Sequence, residues 1–317
     1  MDLRKTLKIT ASVVIILLIS YFYALEFRKH WASLQEFTVS VNAHYLIISL
    51  SLFLLSYLLE TFIWKVCMNA HLGRPELNFV QSIAVVNASG LLKYLPGRIW
   101  IYTAQLLWLK KYNIPKSLVL YVNLICTLGS VIVSLYLGLI YLALYANLMS
   151  FKALILSGAA LILFNVMYIV WNSLLLNKLI ALAGRLLKKE IQPLKSARSL
   201  LLYIQLVYMC SWSLAGLSGY FLAEGIGLHI QAAELFAILA SMSLSWVVGY
   251  LAIITPGGFG VREGMMLVML NNVVSAQTAL IFPILSRLIY LIAEALLGLA
   301  ALLLGVKYSV FSSKKSG

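Results

Sequence analysis

The chain has 317 residues, of which 62% are hydrophobic and 11% are charged, and its mean hydropathy is +0.97. Soluble domains carry about 25% charged residues, so this composition excludes an ordinary soluble protein and indicates a membrane protein. The formal net charge of +14 does not indicate a nucleic-acid partner, because no soluble basic domain is present to bind one.

Long apolar runs predict an all-α polytopic membrane protein, because about 20 apolar residues form a helix that can cross a bilayer core. We predict six full spans, at about residues 9–25, 44–64, 118–145, 153–176, 200–222 and 278–304. The first span lacks a small-residue cleavage site after it, so we interpret it as a retained span rather than a signal peptide.

Two further apolar segments are interrupted by proline and glycine, and we predict that each forms a helical hairpin. The arms of these hairpins lie at about residues 79–92 and 99–109, and at about residues 233–254 and 265–270. The tips read K-Y-L-P-G-R at residues 93–98 and T-P-G-G-F-G-V-R-E-G at residues 255–264. The second arms are short for a full crossing, which favours re-entrant hairpins, and the chain has eight spans if both hairpins cross.

The distribution of basic residues predicts the orientation. With six spans and two hairpins, 17 of the 24 lysine and arginine residues fall on one side and three on the other. The basic side is cytoplasmic by the positive-inside rule, so we expect a multi-pass protein of the cytoplasmic membrane with both termini in the cytoplasm. Eight spans would give the same orientation.

The two hairpins belong to halves that resemble each other at an offset of 160 residues, which aligns Pro96-Gly97 with Pro256-Gly257 and Gly138 with Gly298. The predicted hairpins enter from opposite sides, so the halves have inverted topology. Such repeats with broken helices are typical of transporters. We therefore predict one membrane domain over residues 1–317, with repeats at 42–145 and 200–305 and a connecting span at 153–176.

The tip of the second hairpin has four residues that favour a tight turn, namely Pro256, Gly257, Gly258 and Gly260. Its free backbone amides can hold an anion such as a lipid phosphate, or the turn can simply link two helices. Glu263 has a structural reason to lie at a helix start. Arg262 has none and would be costly in lipid, which favours a functional site here.

The tip of the first hairpin supplies the matching candidates, Lys93, Pro96, Gly97 and Arg98. The alternative is that its lysine and arginine merely extend to the membrane interface. Glu60 lies within the second span, near its cytoplasmic end. It either pairs with Lys65 or has a role inside the membrane, and the sequence favours neither reading.

The last span carries Arg287, Tyr290 and Glu294 on one face. Arg287 and Glu294 lie about two turns apart and cannot pair closely with each other. Two pairings with the second tip stay open, Arg262 with Glu294 and Glu263 with Arg287. Tyr290 lies between the two charges and can donate a hydrogen bond.

The motifs at residues 256–264 and 93–98, together with Arg287-x-x-Tyr290, resemble the flippase-like transmembrane domain of lysylphosphatidylglycerol synthases of the multiple peptide resistance factor type. The resemblance covers nearly the whole chain and implies an inner-membrane protein that moves phospholipids or lipid-linked molecules between leaflets. It implies functional positions at Pro256, Gly257, Gly258, Gly260, Arg262, Glu263 and Arg287. Full-length synthases add a soluble aminoacyl-transferase domain, which is absent here, so we expect no lysyl transfer.

We expect a bacterial or archaeal flippase-like transporter whose substrate is a phospholipid or lipid-linked headgroup. No nucleophile–base pair, nucleotide loop or metal-ligand spacing is present, so we expect no cofactor and no enzyme activity. Two alternatives stay open: a membrane enzyme that modifies a lipid headgroup, and a non-transporting partner of an enzyme such as a glycosyltransferase. A cavity joining Arg262 and Arg287 would favour transport, whereas a dry, packed hairpin contact would argue against it.

Overall fold

A computed structural model describes residues 40–95, 99–145, 151–186, 196–252, 255–271 and 273–311, together with Leu25, Arg28 and Leu194. Within these ranges the chain is helical and contains no β-strand, which confirms the all-α prediction. Five of the described helices are long and apolar enough to cross a membrane, so the protein has the character of a multi-pass membrane protein.

The described ranges contain nine α-helices, which we number α1 to α9 in chain order. They are Ala43–Leu72, Phe79–Gly90, Ile99–Leu109, Lys116–Tyr145, Phe151–Leu186, Arg198–Gly225, Leu235–Leu251, Val261–Leu270 and Ala276–Lys307. Short 3-10 helices follow α2, α3 and α7 at Leu91–Tyr94, Lys110–Tyr112 and Pro256–Gly258. Five predicted spans fall within α1, α4, α5, α6 and α9, and the predicted span at residues 9–25 lies outside the described residues apart from Leu25.

Two predicted boundaries are wrong. Helix α5 continues to Leu186, beyond the end of the span predicted at about residues 153–176. That stretch is rich in leucine and alanine, which are strong helix formers, and its charges do not end the helix. Helix α8 begins at Val261 rather than near residue 265, so Arg262 and Glu263 lie in its first turn.

The helix ends follow from local capping. The Asn42 side chain accepts hydrogen bonds from the backbone amides of His44 and Tyr45 at 3.1 and 3.5 Å and so starts α1. Asn78 and Gln81 form a reciprocal capping box at the start of α2. These caps fix where the short arm α2 begins after the long helix α1.

Helices α1 and α6 form the most extensive helix pair of the described fold. Two serine pairs join them in the buried interface, Ser49 with Ser218 at 3.0 Å and Ser56 with Ser211 at 2.8 Å. The pairs are spaced by seven residues, which is about two turns and therefore one face of each helix. Small polar side chains of this kind let membrane helices approach closely and bond to each other.

The two halves of the described chain have the same helix order. In each half a long helix is followed by a short arm, a 3-10 helix, a second short arm and another long helix, α1 to α4 and α6 to α9. The packing is reciprocal, because α2 packs on α9 and α7 packs on α4. The inverted relation of the halves and the re-entrant path of the hairpins stay predictions.

Large hydrophobic side chains cover the outside of the helices. Helix α5 is the clearest example, with Ile155, Leu156 and Leu163 exposed and few of its described residues in the core. An apolar exterior of this extent is costly in water and favourable in lipid. The surface therefore agrees with the membrane character that the helix lengths indicate.

Gly298 sets the approach of the first hairpin to α9, because a Cβ there would lie 2.6 Å from two methyl groups of Leu91. We expect Gly298→Ala to lower the free energy of unfolding by about 1–3 kcal/mol through overpacking. The measurement is thermal unfolding of the purified protein in detergent.

Gly158→Ala is the matched control, because a Cβ at Gly158 meets only Leu139 at an ordinary 3.6 Å. It should leave the stability unchanged or raise it, since alanine is the better helix former. Equal stability of the two variants would contradict tight packing between Leu91 and Gly298.

Candidate functional site

The second hairpin tip is shaped by glycines in the left-handed region. The φ angles of Gly257, Gly258 and Gly260 are 60°, 75° and 80°. A side chain is strained in that region, and a Cβ at Gly258 would also lie 3.0 Å from the carbonyl oxygen of Gly249. The predicted tight turn is present in this form, and it directs the chain into α8 at Val261.

The two hairpin tips contact each other. Gly257 of the second tip packs against Tyr94 of the first, and a Cβ at Gly257 would lie 2.7 Å from the tyrosine ring. Lys93, the neighbour of Tyr94, therefore lies within reach of the second half. Pro96, Gly97 and Arg98 lie outside the described residues, as does the side chain of Pro256.

Glu263 pairs with Arg287, which is one of the two pairings that the sequence left open. The Nε atom of Arg287 lies 3.5 Å from Oε1 of Glu263, and its Nη2 donates to the Gly257 carbonyl at 3.1 Å. Its guanidinium lies over the ring of Phe259 at 4.3 Å. Arg287 thus joins α9 to both the tip and the start of α8.

Arg287 is packed in protein. It is 6% exposed, and the void that it shares with Glu263 has a volume of about 10 Å³. That volume is at the lower limit of room for one water molecule. Oε2 of Glu263 and Nη1 of Arg287 have no hydrogen-bond partner among the described residues. The geometry gives Arg287 a role in holding the second tip.

Glu294 pairs with Lys93, so the alternative pairing of Glu294 with Arg262 is wrong. Its Oε1 accepts from Lys93 Nζ and from the Tyr57 hydroxyl at 2.6 Å, and its Oε2 accepts from the Tyr94 hydroxyl at 2.5 Å. The Lys93 side chain points inward to this carboxylate and does not extend to an interface. The lysine stem is long enough to reach either the interface or the interior. Pairing with the buried carboxylate of Glu294 stabilises the inward orientation.

Tyr290 is the centre of the cluster. Its ring faces the charged groups of Arg262, Lys93 and Arg287 at 4.3, 4.5 and 5.1 Å. The negative face of an aromatic ring attracts cations, and the attraction grows where water is excluded. The Tyr290 hydroxyl accepts a hydrogen bond from Lys93 at 2.6 Å, and its role as a donor stays a prediction.

Arg262 is the cation of the cluster that lacks a carboxylate. It is 9% exposed, and no carboxylate of the described residues lies within 4.0 Å of its guanidinium. Its side chain is packed on Gly249, where a Cβ would lie 2.2 Å from Cγ of Arg262. The ring of Tyr290 and the bare backbone of Gly249 therefore hold the guanidinium in one place.

A cavity of about 550 Å³ lies beside Arg262, between the two hairpins. Its wall contains charged and hydroxyl groups from Glu60, Lys93 and Tyr57 as well as apolar side chains such as Ile99 and Leu251. The cavity reaches Arg262 but does not extend to Arg287, which lies behind the tip. Both arginines line the void of about 10 Å³, so the criterion of an open cavity joining Arg262 and Arg287 is not met.

Glu60 faces the cavity and is not paired with Lys65. Its Oε1 accepts a hydrogen bond from the Ser211 hydroxyl at 3.3 Å, and the described residues place no lysine or arginine within 4.0 Å of it. The reading in which Glu60 pairs with Lys65 is wrong. Sequence reasoning also missed Tyr57, although it lies three residues before Glu60 and thus on the same helix face.

The match to a known family covers this whole arrangement. A family model described as "Lysylphosphatidylglycerol synthase TM region" matches residues 6–298. The chain belongs to this family. The family indicates a function connected with membrane lipids. No curated protein matches the chain.

The family match includes both hairpins and the cluster from Lys93 to Glu294. The resemblance seen in the sequence motifs is therefore confirmed at the level of the family.

The buried pair of Glu263 and Arg287 can be tested through stability. Arg287→Met should destabilise the fold by about 3–5 kcal/mol, because it leaves Glu263 buried without a counter-charge. The double variant Glu263→Gln/Arg287→Met should recover a large part of that loss, because no unpaired charge remains. Unfolding of the single and double variants in detergent measures the coupling, and strictly additive losses would contradict the pairing.

Proposed function

We propose that this protein moves lipids with an anionic headgroup between the leaflets of the cytoplasmic membrane, and that the 550 Å³ cavity receives the headgroup. The observation that carries the proposal is Arg262, a buried cation that faces this cavity and has no carboxylate partner among the residues that the structure describes. A charge in a membrane-embedded position is expensive, so an unneutralised one implies a ligand that supplies the opposite charge.

The chemistry of Arg262 suits a phosphate group. A guanidinium presents a planar set of donors that can bind two phosphate oxygens at once. Tyr290 and Gly249 hold it in position before the ligand arrives, which lowers the entropy lost on binding. Lys93 lines the same cavity, but Glu294 already neutralises it, so Arg262 is the principal anchor.

The mouth of the cavity suits a lipid rather than a water-soluble anion. Ile99 on α3 and Leu251 on α7 line the cavity and are 63% and 69% exposed on the apolar surface. Tyr102 and Tyr250 line the same cavity, and their hydroxyls lie 3.2 Å apart. A headgroup can thus enter between α3 and α7 while its acyl chains stay in the bilayer.

The matching helix order of the two halves supports the transport proposal. Reciprocal packing of α2 on α9 and of α7 on α4 fits two repeats that rock against each other around a central site. We propose that the repeats are inverted, that the hairpins are re-entrant and that both termini are cytoplasmic.

We also propose that the protein is not an enzyme. Lys93 and Tyr94 both donate to Glu294, and these bonds between the two halves fit a structural role for the three residues.

The test is reconstitution of the purified protein into vesicles with a fluorescent anionic phospholipid and a membrane-impermeant quencher. The wild type should make the inner-leaflet lipid accessible to the quencher. Arg262→Ala should slow that exchange about 10–100-fold, because it removes charge-assisted hydrogen bonds worth about 1.5–3 kcal/mol. Arg262→Lys should fall between the two, since it keeps the charge but not the planar donors.

Arg74→Ala is the matched control, because it deletes an arginine whose ion pair with Glu76 is exposed near the end of α1. It should exchange lipid like the wild type. Unchanged exchange by a folded Arg262→Ala protein would remove Arg262 from the mechanism. A change in lipid mass without exchange would favour a headgroup-modifying enzyme, and neither effect would favour a non-transporting partner protein.

A further inference from the structure

Glu60 has no role in the anion site, yet it lies where two spaces meet. It lines the 550 Å³ cavity with Arg262, and it also lines a second chamber of about 200 Å³. Tyr57 and Lys93 line both spaces as well. The carboxylate therefore lies at the boundary between the headgroup cavity and another compartment inside the helix bundle.

The second chamber is lined by apolar residues such as Val86, Ile101 and Leu297 and by four hydrogen-bonding side chains. The four are Thr61, Asn87, Gln105 and Asn123, which come from α1, α2, α3 and α4. Asn87 donates to Thr61 at 3.1 Å, and Asn123 donates to Gln105 at 2.7 Å. Polar groups are costly inside a membrane unless they line a water-filled or functional path. The chamber is thus suited to hold water beside Glu60.

The chamber extends from Glu60 toward one end of the first half. Asn123 lies seven residues into α4, which begins at Lys116, and Gln105 lies four residues before the end of α3 at Leu109. These ends meet at the connection that the charge distribution assigns to the cytoplasm. Under that orientation, the chamber lies on the cytoplasmic side of Glu60.

Three carboxylates line the cavities of the site, and they are held differently. Glu263 is paired with Arg287, and Glu294 accepts from Lys93 and two tyrosines. Glu60 has one neutral hydroxyl, Ser211, as its hydrogen-bond partner in the described part of the chain. A carboxylate without a cation can give up its charge by taking a proton, whereas one held by lysine keeps it.

The groups around Glu60 come from several elements. They are Tyr57 on α1, Lys93 after α2, Tyr102 on α3, Cys126 on α4, Tyr208 and Ser211 on α6, Tyr250 on α7, Arg262 on α8, and Tyr290 and Glu294 on α9. Glu294 already neutralises Lys93, so Arg262 is the cation whose charge a bound ligand would remove from the cavity. Glu60 is therefore more easily protonated when an anionic ligand neutralises Arg262 than when the cavity is empty.

We propose that Glu60 is a proton-binding site, filled through the polar chamber, that couples proton movement to headgroup transport. The proposal rests on the transport function proposed above. When an anionic headgroup binds Arg262, the two negative charges in one cavity repel, so Glu60 takes a proton from chamber water. When the headgroup leaves on the other side, Glu60 releases that proton to water there. One proton and one anionic lipid thus move in the same direction without net charge.

The experiment uses the full chain in vesicles that contain a labelled anionic phospholipid, with an imposed pH difference and no membrane potential. A difference of about one pH unit is worth about 1.4 kcal/mol per proton. It should therefore shift the steady-state ratio of labelled lipid between leaflets by up to about tenfold, toward the less acidic side. A pH dye in the vesicle lumen should report proton movement that depends on the anionic lipid.

Glu60→Gln should abolish the effect of the pH difference on the leaflet ratio, because glutamine keeps the shape and cannot take up the proton. Glu60→Asp should retain part of the effect. Asn123→Leu should weaken it by blocking the chamber without touching Glu60. Glu76→Gln removes a partly buried carboxylate that is paired with Arg74 outside the site, and this control should respond like the wild type.

Wild-type exchange that ignores the pH difference would overturn the coupling and leave the proposed transport intact. A response to a sodium difference instead would also overturn it. If the wild type moves no lipid at all, the proposed function fails and the coupling fails with it. An infrared band of a protonated carboxyl group that is lost in Glu60→Gln would then still support the proton site.

Discussion

Lipid offers no partner to a charged side chain, and the arrangement of the hairpin tips depends on that constraint. Glu294 and Lys93 neutralise each other, Glu263 and Arg287 do the same, and Tyr290 presents its ring to three cations. The glycines at the tip are needed because only a bare backbone lets these groups come together. Glycine reaches the positive φ angles of the tip without strain, and the charges next to the tip are paired inside the protein.

The described structure separates two arginines that look equivalent in the sequence. Arg262 lies in the motif at residues 255–264, Arg287 lies in the last span, and the charge of each is costly in lipid. Arg287 is enclosed by the tip and holds the Gly257 carbonyl, while Arg262 faces an open cavity. Arg287 supports the backbone of the tip, and Arg262 is the arginine that we propose binds a ligand. Arg287 thus holds the tip in place, while the charge of Arg262 stays unpaired with any carboxylate of the described residues.

Much of the fold follows from hydropathy, because apolar runs of sufficient length specify five of the described helices and proline-glycine breaks specify the two tips. The partners of the charges do not follow in the same way. Lys93 and Glu294 are 201 residues apart, and they meet only because the turn after α2 packs on α9. The sequence left open a local pairing of Glu60 with Lys65. In the structure, Glu60 instead accepts a hydrogen bond from Ser211 of α6. Helix α5 exceeded its predicted end because charge marks the edge of a membrane, not the end of a helix.

The bond between Lys93 and Glu294 connects the first half of the chain to the second. If the halves move as separate bodies, this ion pair must break in each cycle of movement. Opening it in an empty protein would leave two bare charges in a poorly solvating interior. Under the proposed transport, an anion in the cavity would offer Lys93 a second counter-charge, so breaking the pair would cost less in the loaded protein than in the empty one.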